Sequence, residues 1–103
     1  MNQALEIPRD ELKEALDKIL PAIEERHSSR KYLSLFEELW HLRKVLDSGF
    51  EDFPVLFRAW DRGFEKWARN RVSFLDSLRE GPVSQDWVAF IDKKEALKAA
   101  IQR

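Results

Sequence analysis

Residues 53–80 read FPVLFRAWDRGFEKWARNRVSFLDSLRE. Phe53, Phe57, Trp60, Phe64, Trp67, Arg71, Phe74 and Leu78 recur there at alternating steps of four and three residues. Such steps keep one set of side chains on one face of an α-helix, whereas a strand would need a period of two. All but Arg71 are apolar, so the face is a heptad seam made to be covered. Asp52 is placed to cap this helix, and Pro54 suits its first turn, where a missing N–H costs nothing. Gly81-Pro82 ends it. The spacing predicts a helix over 53–80, roughly 40 Å long at 1.5 Å per residue. Gly63 is the expected point of any break, since glycine inside a helix costs about 1 kcal/mol against alanine.

Working outward, three shorter helices are expected. The first spans about 8–26, with Pro8 in its first turn and Leu12, Ala15, Leu16, Ile19, Leu20 and Ile23 on one arc. The second spans about 30–47, capped by Ser28 or Ser29 and stopped at Ser48-Gly49, with Gly49 available for a left-handed cap. Its apolar arc holds Tyr32, Leu35, Phe36, Leu39, Trp40, Leu42 and Leu46, enough to touch neighbours on two sides. The last spans about 84–102 with a stripe of Trp87, Phe90, Ile91, Leu97 and Ile101. Threonine is absent and β-branched residues are few, while Leu, Ala, Glu, Lys and Arg abound, which favours helix over sheet. Short connections favour antiparallel neighbours. The expected architecture is a single all-α domain: an antiparallel four-helix bundle with a long third helix.

Composition narrows function mainly by exclusion. The 103 residues carry 18 basic and 19 acidic side chains, a formal charge of −1. No apolar run approaches the roughly 20 residues that span a membrane. Cysteine is absent, which removes disulfides, thiolate metal sites and cysteine nucleophiles. The first residues lack the basic start and apolar stretch of a signal peptide, so a cytoplasmic location is expected. No glycine-rich phosphate loop, nucleophile elbow or Ser/His/Asp set is present. His41 follows Glu37 by four residues, half a metal site at best, and no second such pair completes it. No catalytic, metal or cofactor residue is therefore assigned, and the chain is not expected to be an enzyme.

Three constellations remain. The ends of the long seam, at Phe53 and Phe57 and at Phe74 and Leu78, would overhang the shorter helices, and an uncovered apolar stripe marks a partner surface. This predicts a non-catalytic interaction module (an adaptor, regulator or accessory subunit) with a protein partner or a second copy of itself. The alternative is a nucleic-acid accessory protein using Arg58, Arg62, Lys66 and Arg69, which line the side of the helix opposite the seam. Asp61, Glu65 and Asp76 lie close to that stripe and would neutralise it through local ion pairs. Arg43 and Arg71 fall inside apolar arcs and are buried-charge candidates, with Glu37, Glu38 and Glu65 as conceivable partners. Facing an internal cavity, the two arginines would clamp an anionic small ligand.

Overall fold

The computed structural model describes residues 3–49 and 51–102, with side chains from residue 6. Five helices follow one another: α1 (Gln3–Glu24), α2 (Arg30–Leu46), α3 (Phe53–Arg69), α4 (Val72–Leu78) and α5 (Ser84–Ile101). No strand occurs among the described residues. α1 begins upstream of Pro8 and continues through both Pro8 and Pro21. Each proline removes a backbone bond. Packing of Leu12, Leu16, Ile19 and Ile23, all fully buried, carries the helix past that loss. The expected caps form differently. Ser29 and Asp52 make no side-chain capping bond, and their carbonyls accept from Leu33 and Leu56 instead. α2 ends by tightening, with Asp47 N–H donating to Lys44 and Ser48 N–H to Val45. Gly49 adopts no left-handed conformation.

Side-chain contacts fix the directions. Arg9 and Lys13, early in α1, meet Leu46 and Asp47 at the end of α2, and Asp17, further along α1, meets Arg43, so α1 and α2 are antiparallel. Trp67 and Trp60 reach Ser34 and Glu38, which sets α3 antiparallel to α2. Arg58 and Asp61 reach Ile101 and Lys98, so α5 runs antiparallel to α3. α1 packs closely against both α5 and α2, and α2 against α3. The ion pairs from α3 to α5 close the ring. The result is the expected four-helix bundle, with extents of 42 × 23 × 20 Å.

The long helix does break, at Asn70–Arg71 and not at Gly63. Gly63 lies within continuous α3. Asn70 and Arg71 have φ/ψ of −92°/5° and −135°/31°, outside the helical region. The reason lies in the seam itself. Arg71 is its one charged member, and a straight helix would press its guanidinium into the core. Breaking there lets the side chain fold back. Its Nη1 donates to the Trp67 carbonyl at 2.8 Å, and the guanidinium stacks 4.8 Å from the centre of the Trp67 ring. The orphan carbonyl at the end of α3 gains a partner. α4 then turns so that Phe74 and Leu78 remain buried.

Candidate functional site

The aromatic seam forms the core. Phe53, Phe57, Trp60, Phe64 and Trp67 make a continuous ladder, with successive ring centroids 5.9, 6.0, 4.9 and 5.4 Å apart. Indole nitrogens of Trp60 and Trp67 each donate a 2.8 Å hydrogen bond into α2. The overhang expected at the seam's ends does not occur. Phe53, Phe57, Phe74 and Leu78 are all buried. The Arg9 guanidinium covers Phe53, 4.4 Å from its centroid, while donating to the carbonyls of Leu46 and Ser48. At the other end the Tyr32 ring meets Phe74 edge-on at 5.2 Å. A partner cannot reach these four side chains without opening the bundle.

Neither arginine of the proposed anion clamp is fully buried, and the two are apart. Arg43 Nε sits 2.9 Å from Asp17 and its Nη1 2.6 Å from Asp47, at the α1–α2 surface. The Asp47 hydrogen bond, with the Asp17 charge, raises the Arg43 pKa, and Arg43 in turn holds Asp47 below the usual carboxylate range. Arg71 is held over Trp67, which itself bonds to Ser34. Ser34 and position 43 lie nine residues apart on α2, roughly 13 Å along its axis. No single ligand cavity joins them. None of the carboxylates conceived as partners forms an ion pair with either arginine. Glu38 feels Arg71 only through space, and burial raises its pKa despite the opposing charges of His41 and Arg71.

The buried charges are Asp61 and Lys94, which sequence patterning did not single out. Lys94 Nζ lies 3.1 Å from Asp61 Oδ1, with side-chain exposures of 5% and 7%. Lys98 Nζ lies 3.2 Å from Asp61 Oδ2 and 2.8 Å from Glu65. Glu95 adds a 2.8 Å contact to Lys94. Hydrogen bonds donated to Glu65 and then Asp61 raise the Lys98 pKa above the ordinary lysine value, so the ammonium stays charged throughout the neutral range. A signal was present in the sequence. The stripe Trp87, Phe90, Ile91, Leu97, Ile101 has a gap filled at the correct spacing by Lys94, and Asp61 lies four residues after Phe57 and three before Phe64.

This network rearranges the surface. Asp61 and Glu65 were expected to neutralise the basic stripe, but both turn to α5. Arg62, Lys66 and Arg69 are exposed and form no ion pair among the described residues. Arg58 donates to the Ile101 carbonyl at 3.2 Å. At the C-terminal end of α3 the stripe meets a cleft of about 340 Å³, lined by Lys31, Arg69, Asn70, Arg71, Val72, Ser73 and Phe74.

The break after α3 opens a second, larger feature. A groove of about 490 Å³ runs between α3, α4 and α5. Phe64, Ala68, Val72, Leu75, Trp87 and Ile91 line it, together with the buried Lys94. Glu65, Arg69, Asp76, Arg79 and Glu95 edge it. Val72 at the mouth is 57% exposed, a large apolar side chain left in water. Elsewhere Trp40 is 46% exposed, stacked on Phe36 with centroids 6.3 Å apart. Among the described residues no group of three His, Cys, Asp or Glu side chains converges as metal ligands. No described helix is long and apolar enough to cross a membrane.

No known family model, curated protein or solved structure matches the chain.

Proposed function

We propose that the protein is a non-catalytic helical interaction module, an adaptor or accessory subunit that receives an apolar segment of a protein partner in the α3–α4–α5 groove. The observation that carries this reading is the groove, lined by Phe64, Trp87 and Ile91, with Val72 at its mouth. Apolar surface around a concave centre, rimmed by charged residues, is the anatomy of a protein interface. The groove is open to solvent and not an enclosed cavity. That suits an extended or helical segment better than a small ligand, which pockets normally engulf by 70–90% or more of its surface. This reading replaces the seam ends with Val72, Leu75 and Ile91 as the contact.

Val72→Asp is the variant that tests it. The side chain is exposed at the first position of α4, where aspartate suits the helix dipole, so folding should be unaffected. A protein recovered with the wild type and lost with Val72→Asp supports the reading. Equal recovery by both, with the same circular dichroism, removes it.

A further inference from the structure

The outer face of α3 displays a row of cations, with the half-exposed Glu65 at its α5 edge. Arg58, Arg62, Lys66 and Arg69 follow one another at steps of four, four and three residues. At 1.5 Å per residue they form a line roughly 16 Å long. Glu65 at the margin of this face is engaged by Lys98, and Arg62, Lys66 and Arg69 form no ion pair among the described residues. Charge separation inside the bundle creates this asymmetry, because Lys94 and Lys98 take Asp61 and Glu65 to the α5 side. The line continues into the cleft at the α3–α4 break, where Lys31, Arg71, Asn70 and Ser73 add donors and no carboxylate takes part in the lining. Arg71 is already held there, by its bond to the Trp67 carbonyl and its stacking on that ring.

We infer that this ridge and cleft bind the phosphate backbone of a nucleic acid without reading its sequence. Guanidinium groups match phosphate geometry with paired donors. A linear series of cations, one per helical turn, fits a repeating polyanion better than a lone phosphoester, which would need one enclosed site. Contacts from such a row go to phosphates, which position a strand and do not specify its sequence. The overall charge of −1 does not oppose this, since binding follows the local field and not the sum. Arg69 and Val72 belong to both the cleft and the α3–α4–α5 groove, whereas Arg62 and Lys66 line neither, so substitutions at Arg62 and Lys66 test the ridge without touching the groove.

The test is fluorescence anisotropy of the full chain with a labelled 20-nucleotide single strand of mixed sequence. Binding is expected at 50 mM salt. With four phosphate contacts it should weaken about fifty-fold between 50 and 200 mM, from a slope of about −0.7 per contact. A scrambled oligonucleotide should bind equally. Arg62→Glu with Lys66→Glu should abolish binding while circular dichroism and the urea midpoint stay as in the wild type. The milder Arg62→Gln with Lys66→Gln should lower the salt slope by about 1.4. Absence of binding at 50 mM overturns the inference. So does unchanged affinity in the folded variants, or competition by polyglutamate as effective as that by the oligonucleotide, which would assign the ridge to an acidic protein.

Discussion

Replacing Asp61 with leucine removes the carboxylate that Lys94 and Lys98 share. Lys94 would keep only Glu95, itself largely in solvent, while its ammonium stays buried beside Phe64. Breaking a buried ion pair from one side typically costs 3–5 kcal/mol, because the remaining charge is left uncompensated. The surviving 2.8 Å contact to Glu95 places Asp61→Leu at the low end, about 3 kcal/mol. Lys94→Met should cost less, about 1 kcal/mol, since Asp61 retains Lys98 at 3.2 Å and methionine fills the space of the lysine stem. The double variant should return to within about 1 kcal/mol of the wild type, because no unpaired charge remains inside. The cycle therefore predicts a coupling of about 3 kcal/mol. Urea unfolding followed by tryptophan fluorescence reads all four corners. The coupling should persist in 0.5 M salt, because buried pairs are screened little. A loss below about 1 kcal/mol for Asp61→Leu, or simple additivity in the double variant, would refute the reasoning.

Three further outcomes follow from the same packing. Phe57→Ala should lose about 3–5 kcal/mol in urea unfolding, as expected for a fully buried aromatic and not for a surface contact. Gly63→Ala should gain up to about 1 kcal/mol, since a Cβ there meets open space within a continuous helix. Glu38→Gln should stabilise the protein at pH 7. Burial raises the folded-state pKa of Glu38, so its ionised form carries a penalty above that pKa and none below the unfolded value of 4.5. The advantage of the glutamine variant should thus shrink as pH falls and vanish near pH 4; urea midpoints at the two pH values measure it.

Periodicity made the architecture legible. The 4-3 steps from Phe53 to Trp67 identified α3, and the arcs around Leu35 and Trp87 identified α2 and α5, because helix faces repeat at a fixed angle whatever they pack against. The break was harder. Glycine marked an intrinsic weakness at Gly63, but the chain broke where a charge met the core, at Arg71. That choice depends on tertiary packing, which outweighs a propensity of about 1 kcal/mol. The overhang expected of the seam is absent for a related reason. Length arithmetic left the seam ends uncovered, yet Arg9 and Tyr32 cover them, and these are side chains from other helices whose rotamers no periodicity encodes. Asp61 and Glu65 were close to the basic stripe in sequence, but their direction was set by Lys94 and Lys98, more than thirty residues away. The surfaces that emerged, the α3–α4–α5 groove and the cationic ridge, are both consequences of these long-range choices.

Whether the groove receives a protein partner is decided by affinity purification from the native source with the wild type, Val72→Asp and the Arg62→Glu/Lys66→Glu variant, each with and without nuclease. The expected result is a protein partner that survives nuclease, remains with the ridge variant and disappears with Val72→Asp. Partners shared equally by the wild type and Val72→Asp, or partners that all vanish on nuclease treatment, would rule out the groove as their binding site.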